Sequence, residues 1–453
     1  MAHVVTCFVR ERGKVLLTRR SDAVGTYRGR WAGVSGYVEA DLEDTEDTEV
    51  EPIDVERDAR RELREEVGLT DDDIELVRTG ETLSVDDEEG SFVVHPFLFE
   101  SDTRAVTANE ELAAVEWIDP TEIRRRETVP RLWETWRRVA PSVETVRSDR
   151  THGSAWISAR ALEVLRDAAA EADESPDSDD ASVPADVLDV AADLRDARPE
   201  MAAVANRVNR VVAESTGPDA GPDRLERRAI DALESSFEAD SAAARTAATR
   251  LRGTDATAVA TLSRSGTVRE AIDELTTGGD PSLSELVVAE SRPEREGVDV
   301  AEWAARETNA SVTLTTEAAL PTALADSDVD AVVVGADSIL PTGHVVNKTG
   351  TRVLALAARE MDVPVYVVAA RDKVRPAGAS DGESGGGEAY VPDVDSPASA
   401  VYDGDADVSV HAPTFEVTPA ALVDGIATEE GLLDTDEVRR IAEEHAENAA
   451  WMR

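Results

Sequence analysis

The hydrophobic positions follow a different period in each part of the chain. In the first third, apolar residues 3–9 and 15–18 flank Gly13, a pattern typical of a β-hairpin. Between about residues 150 and 252, apolar residues recur with the period of a helix, which predicts helices over 201–214 and 224–252. The pattern therefore predicts a strand-rich domain followed by a helical segment.

From residue 253 onward, short β-branched runs alternate with helical patterns. Strands are predicted at residues 256–262, 286–290, 312–315, 331–335 and 365–369. This alternation is typical of an α/β fold with a doubly wound parallel sheet. The predicted segments are 1–140, 145–252 and 253–453.

Polar residues follow the predicted strands, at the edge where parallel sheets bind ligands. Glycines at such a strand end leave backbone N–H groups accessible, and hydroxyl groups beside them are further hydrogen-bond donors to phosphate. The residues therefore predict a sugar-phosphate site. After the first strand come Ser263, Arg264, Ser265 and Gly266; after the second Arg292; after the fourth Asp337, Asn347 and Lys348; after the fifth Lys373.

The charge of the chain is strongly negative along its whole length. It contains 95 acidic and 47 basic residues, which gives a net charge of -48. Such a distribution indicates a solubility adaptation of the salt-in halophile type. It leaves no basic stripe that would bind a phosphate backbone, so we expect no direct nucleic-acid partner.

Cysteine content and hydropathy bear on the compartment. Cys7 is the single cysteine, which excludes an internal disulfide and a cysteine-rich zinc site. No apolar run approaches the ~20 residues that span a bilayer, and the N-terminus has no basic leader. We expect a cytoplasmic protein without a membrane partner.

A helix with a carboxylate face is predicted over residues 59–67. Leu63 and Val67 belong to its apolar stripe, while Glu62, Glu65 and Glu66 occupy positions i, i+3 and i+4. Neighbouring carboxylates repel one another unless a cation lies between them. The spacing therefore suits Mg²⁺ or Mn²⁺ and a phosphate-bearing substrate.

The segment RELREEVGL at residues 61–69, preceded by Gly36, resembles the Nudix box of the Nudix hydrolases. The resemblance implies an α/β/α sandwich with a mixed sheet that hydrolyses a nucleoside diphosphate derivative, with Glu62, Glu65 and Glu66 as catalytic metal ligands. An acidic insert at residues 41–51 interrupts the box, so the upstream acid stays open among Glu39, Glu51 and Glu56, and the general base between Glu110 and Glu111.

Residues from about 150 onward resemble the translation initiation factor 2B alpha/beta/delta family, which includes ribose-1,5-bisphosphate isomerase and methylthioribose-1-phosphate isomerase. The motifs are AESRP at 289–293, GADSI at 335–339, NKTGT at 347–351 and FEVTP at 415–419. The resemblance implies a Rossmann-like domain, a homodimer, and Asp337 as the catalytic acid/base. It assigns phosphate and sugar oxygens to Asn347, Lys348, Lys373, Arg150, Gly153 and Arg198.

Ser263 departs from the isomerases of this family, which place a cysteine after the first strand as the partner of the aspartate. A thiol has a reference pKa near ~8.5, whereas an alcohol needs a strong neighbouring base to exchange a proton. Three functions stay open for this module: binding a phosphorylated sugar or nucleotide beside the hydrolase, non-catalytic sensing, or aldose-ketose isomerisation of a sugar phosphate.

Overall fold

The computed structural model describes residues 1–39, 52–172, 182–216, 220–277, 282–378 and 395–452. The chain forms two compact units, one comprising Met1–Ser142 and Arg166–Ser175, the other Val143–Leu165 and Pro176–Arg453. Within the described ranges, no helix combines the length and the apolar character needed to cross a membrane.

The first unit is built on a mixed eight-stranded sheet. Strands β1 and β7 are parallel, and the other pairs are antiparallel, including the predicted hairpin of β1 and β2, in which Arg10 lies opposite Val15. Its strands are β1 (Ala2–Glu11), β2 (Lys14–Arg20), β3 (Trp31–Ala32), β4 (Val34–Tyr37), β5 (Ile74–Thr79), β6 (Leu83–Asp87), β7 (Gly90–Ser101) and β8 (Leu112–Ile118), and its helices are α1 (Pro52–Val67) and α2 (Leu132–Arg137).

Helix α1 packs on this sheet through the predicted apolar stripe. Leu63 and Val67 are fully buried in a cluster with core residues of β1 and β7. Glu62 and Glu66 are also buried, whereas Glu65 is exposed. Residues four positions apart share a side of a helix, so two of the three predicted carboxylates point inward together and the third lies at the rim.

The second unit begins with helices, as predicted. They are α3 (Val143–Ser148), α4 (Ser154–Ala172), α5 (Ala185–Arg195), α6 (Ala202–Ser215) and α7 (Pro222–Arg252). The part of α4 from Arg166 onward is counted with the first unit. The α/β part then contains β9 (Ala258–Leu262), α8 (Gly266–Thr277), β10 (Glu285–Ala289), α9 (Glu296–Glu307), β11 (Ser311–Thr315), α10 (Leu320–Asp326), β12 (Ala331–Val334), β13 (Ser338–Ile339), β14 (Val345–Lys348), α11 (Thr351–Glu360), β15 (Val365–Val368), β16 (Phe415–Thr418), β17 (Gly425–Thr428), β18 (Gly431–Leu433) and α12 (Thr435–Asn448).

The main sheet of this unit has the order β11-β10-β9-β12-β15-β17-β18, parallel except for the edge strand β18. The prediction of a doubly wound α/β sheet is confirmed. After β9 the chain continues to β10 on one side, and β12 pairs with β9 on the other. Such a reversal opens a crevice at the carboxyl ends of the two strands.

One segment differs from the expected parallel arrangement. The run before Lys348 forms β14, which pairs antiparallel with β13 and β16 in a separate three-stranded sheet. Gly343, with φ +79°, lies in the short connection between β13 and β14 and permits the tight reversal. Asn347 and Lys348 therefore reach the crevice from this small sheet and not from the end of a parallel strand.

Candidate functional site

The crevice between β9 and β12 contains most of the predicted sugar-phosphate residues. Gly335 directly follows β12, and a Cβ at this position would lie 2.9 Å from the Ser265 hydroxyl oxygen in the loop after β9. Because the two loops approach so closely, the position favours glycine. The approach brings Ser263 and Asp337 to the same cavity.

The cavity has a volume of about 390 Å³, within the usual range of small-molecule sites. The predicted residues that line it come from loops beside the N-terminal helices, from strand ends and from the small sheet: Arg150, Gly153, Arg198, Ser263, Arg264, Ser265, Gly266, Asp337, Asn347, Lys348 and Lys373. Arg292 lies outside this lining. Its side chain is half exposed and its Nε lies 3.9 Å from Glu290, so the local ion pair directs it elsewhere.

Two lysines face the acid in this cavity. The chain has three lysines, Lys14, Lys348 and Lys373, and the last two both line the site. Burial raises the pKa of Asp337, against the opposing effect of Lys373 and Lys348. Burial also lowers the pKa of Lys373. The cavity thus holds two amino groups and one buried carboxyl group, the kinds of group that bind phosphate and transfer protons.

Lys373 is fixed by contacts from helix α6. The Asn206 amide nitrogen donates to the carbonyl oxygens of Asp372 and Val374, each at 2.7 Å. The Asp372 carboxylate accepts from Arg207 Nε at 3.0 Å and from Arg210 Nη1 at 2.5 Å. These contacts hold the backbone on both sides of Lys373, and its side chain lines the cavity.

The N-terminus of α11 is already occupied. The backbone N–H groups of Gly350 and Arg352 donate to Glu416 Oε1 at 2.7 and 2.9 Å. The NKTGT segment therefore contributes the Asn347 and Lys348 side chains to the cavity, while the two backbone N–H groups are hydrogen-bonded within the fold. The Asn347 amide nitrogen is held 3.0 Å from the Thr351 hydroxyl.

Sequence reasoning missed Glu296, the first residue of α9. The Ser263 hydroxyl donates to Glu296 Oε2 at 2.6 Å, and Lys348 Nζ lies 3.2 Å from Glu296 Oε1. Burial opposes the charge of Lys348, but Glu296 and Glu294 outweigh it and raise its pKa. Nothing in the local sequence distinguishes Glu296 from an ordinary acidic residue at a helix start, so no signal was available.

Of the predicted carboxylates of the first unit, Glu62 and Glu65 line a second cavity, whereas Glu66 is buried outside its lining. Burial and the neighbouring carboxylate of Glu62 raise the pKa of Glu66 to about 8, and burial raises the pKa of Glu62. A Cβ on Gly36 would lie 2.0 Å from the Glu62 carboxyl group, so glycine makes room for it. The cavity, of about 450 Å³, is also lined by Glu65 and Arg20.

The structure also distinguishes the acids that the interrupted box left open. Glu39 lines this cavity and lies 3.5 Å from Arg61 Nη1, which also contacts Glu62 at 3.0 Å. Glu56 instead pairs with Arg60 at 2.9 Å, and Glu51 is outside the described residues. Of the two candidate general bases, Glu111 belongs to the cavity lining and Glu110 does not.

The donors in this cavity fit a hard divalent cation, although no three described His, Cys, Asp or Glu side chains form a ready metal cage. Mg²⁺ commonly binds through one or two carboxylates together with substrate phosphates, so a complete protein cage is not required. Burial is the main cause of the raised pKa values of Glu62 and Glu66, and Arg61, 3.0 Å from Glu62, opposes the rise there. A divalent cation would favour the ionised form of both carboxyl groups.

Comparison with known proteins now places both units. The model of the initiation factor 2 subunit family matches residues 150–435. The chain belongs to this family. A NUDIX domain model matches residues 1–139, so the first unit contains a Nudix domain. Both predicted resemblances are confirmed.

Individual relatives of this family member match about a third of the chain. Methylthioribose-1-phosphate isomerase of Bacillus cytotoxicus is 31% identical over 34% of this chain and 44% of its own length. The 5-deoxyribose 1-phosphate isomerase of Moorella thermoacetica is 35% identical over 32% and 41%. The chain thus spans less than half of these relatives. The solved translation initiation factor eIF-2B of Pyrococcus horikoshii OT3 has a TM-score of 0.52 and 26% identity, covering 64% of this chain and 94% of that one.

Proposed function

We propose that this chain joins a divalent-metal-dependent Nudix hydrolase of a nucleoside diphosphate derivative to a module that binds a phosphorylated sugar or nucleotide. The hydrolase is supported by the Nudix domain match and by the carboxylates of α1, because Glu62 and Glu66 are buried on one side of the helix and Glu62 lines the cavity. Glu65 completes the set that would hold Mg²⁺ or Mn²⁺, which supplies charge compensation at a diphosphate. Arg20 lies in the same cavity and would orient anionic oxygens.

Phosphate release from a panel of nucleoside diphosphate derivatives tests this activity. With Mg²⁺ in molar KCl, which a chain of net charge -48 requires to limit self-repulsion, we expect turnover by the wild type. Glu65→Gln combined with Glu66→Gln should lower the rate at least ~100-fold. Glu75→Gln, an exposed carboxylate of the same unit, is the matched control. Absence of release, or full activity of the double variant, would refute the proposal.

Binding of a phosphorylated sugar or nucleotide by the second unit is supported by Lys348 and Lys373, both in one cavity with Arg150 and Arg198. Calorimetric titration with ribose-1,5-bisphosphate and with AMP measures it. We expect Lys373→Met to weaken binding at least ~10-fold, because a buried cation is lost at a phosphate. Lys14→Met, at the remaining lysine, should bind as the wild type does, whereas equal affinities for all three proteins would contradict the proposal.

Sugar-phosphate isomerisation is the second candidate function of this unit. The observation that favours it is Asp337, which is 8% exposed and has a raised pKa beside two lysines. A carboxyl group with a pKa closer to neutrality is a better proton donor and acceptor. Conversion of ribose-1,5-bisphosphate or methylthioribose-1-phosphate by the wild type, lost in Asp337→Asn, is the expected result. Binding without conversion in both proteins would favour the sensing module instead.

A further inference from the structure

Ser263 has an unusual backbone conformation that the surrounding residues hold in place. Its φ is +62°, in the left-handed region that residues other than glycine seldom adopt. The Ser263 N–H donates to the Ser291 hydroxyl at 2.6 Å, and the Ser291 N–H donates to Glu317 Oε1 at 2.6 Å. Such conformations persist only where neighbouring contacts enforce them, and they concentrate at functional sites.

The close packing of α9 against β10 places Glu296 next to Ser263. A Cβ on Gly297, the next residue, would lie 1.8 Å from the carbonyl oxygen of Ala289 at the end of β10. The helix can therefore begin directly at the strand end only because this position is glycine. As a result, the Glu296 carboxylate lies in the cavity wall, 2.6 Å from the Ser263 hydroxyl.

We propose that Glu296 is the proton acceptor for Ser263, and that this pair replaces the thiol found at the serine position in the family's isomerases. This inference rests on the isomerase candidate above. In the step, an O–H bond of the sugar breaks and its electron pair stays on the sugar oxygen. The proton goes to Ser263 Oγ, while the hydroxyl proton of Ser263 passes to Glu296 Oε2. When the product forms, the same two transfers run in reverse and return one proton to the sugar, so both groups are restored and no other reactant is required.

Lys348 supports this role from the other side of the carboxylate. Its Nζ lies 3.2 Å from Glu296 Oε1 and 3.1 Å from Glu294 Oε2. The ammonium group orients the Glu296 carboxylate, leaving Oε2 to accept from Ser263. Glu296 acts through Ser263 and is therefore a positioning residue, whereas Ser263 lines the cavity and faces the substrate.

The decisive experiment is a double-mutant cycle on the full chain, measuring isomerisation of ribose-1,5-bisphosphate and of methylthioribose-1-phosphate. With Ser263 present, Glu296→Gln should lower kcat at least ~100-fold and change KM by less than about threefold, because glutamine keeps the hydrogen bond but accepts no proton. In the Ser263→Cys background, Glu296→Gln should change kcat by less than about fivefold, because a thiol ionises without that base.

Two control variants separate the proton transfer from other effects of charge. Glu307→Gln, at the exposed end of α9, should leave kcat unchanged. Glu294→Gln removes the other carboxylate from Lys348, and its effect should be the same with serine or cysteine at position 263. The inference would be overturned if Ser263→Cys restored the kcat of Glu294→Gln as much as it restores the kcat of Glu296→Gln. Both substitutions would then act through Lys348.

A titration of the introduced thiol tests the contact without relying on turnover. The native thiol, Cys7, is buried, so alkylation of Ser263→Cys reports the new group. A neighbouring carboxylate raises a thiol pKa, and we expect Glu296→Gln to lower it by at least about one unit. An unchanged value would overturn the inference. Turnover that is insensitive to Glu296→Gln would overturn it while leaving the isomerase function intact, and absence of turnover in the wild type would overturn both.

Discussion

Replacing Asp372 by asparagine should strongly destabilise the second unit. Asp372 is 2% exposed and accepts hydrogen bonds from Arg207 and Arg210, so the substitution leaves two guanidinium groups facing a neutral amide. Removing one partner of a buried ion pair costs about 3–5 kcal/mol. At about 1.4 kcal/mol per factor of ten, this corresponds to an increase of about two to three and a half orders of magnitude in the population of open forms.

Hydrogen exchange of α6 peptides, measured by mass spectrometry in molar KCl, provides the assay. We expect the amides of Ala202–Ser215 to exchange about 100- to 4000-fold faster in Asp372→Asn. Glu302→Gln, which breaks the exposed pair with Arg306 at 2.6 Å, should change exchange by less than about fivefold. An increase below about tenfold in Asp372→Asn would refute the reasoning, because the cluster would then be solvated enough to tolerate the loss.

The pH dependence of this difference has a defined sign. Burial opposes the charge of Asp372, but Arg210 and Arg207 outweigh it and hold its pKa below the usual range. A carboxyl group with a lowered folded-state pKa contributes stability above its unfolded pKa of about 3.9 and loses it as pH falls. The difference between wild type and Asp372→Asn should therefore be constant near neutral pH and shrink below about pH 4.

Three further substitutions give outcomes fixed by local geometry. Gly36→Ala places a Cβ 2.0 Å from the Glu62 carboxyl group, so both the rate of hydrolysis and the affinity for Mg²⁺ should fall sharply. An unchanged rate would contradict this packing. Burial lowers the pKa of His95 to about 4, so the stability of the first unit is complete above pH 6.5 and falls toward pH 4, where the unfolded state binds the proton more readily. His95→Gln should therefore reduce the change of the melting temperature with pH over that range. Gly350→Ala should lower the free energy of unfolding in urea by about 1 kcal/mol, because the backbone there has φ +106° and the added Cβ would lie 3.0 Å from Glu317 Cγ.

The parallel sheet could be predicted from sequence because its strands are short β-branched runs separated by helical periods. The structure places Asp337 at the end of β12, where such a pattern locates a ligand site. The buried stripe of α1 was also predictable, since Leu63 and Val67 recur with the helical period.

Other parts of the site depend on tertiary contacts that leave no local pattern. Glu296 meets Ser263 across 33 residues, and its position depends on how closely Gly297 packs on β10. The antiparallel sheet of β13, β14 and β16 pairs Val345–Lys348 with a strand from distant sequence, which no periodicity indicates. Likewise, the burial of Glu62 and Glu66 could not be read from a helix in so acidic a chain.

The lining of the sugar-phosphate cavity extends along the chain from Arg150 to Phe415, and this has a consequence for synthesis. Ribosomes add roughly 5–20 residues per second, so the last wall of the cavity leaves the ribosome on the order of tens of seconds after the first. During that interval Lys348 and Lys373 are absent or newly made, and no ligand can stabilise the nascent second unit through them. The Nudix domain, at residues 1–139, is synthesised before all of these residues.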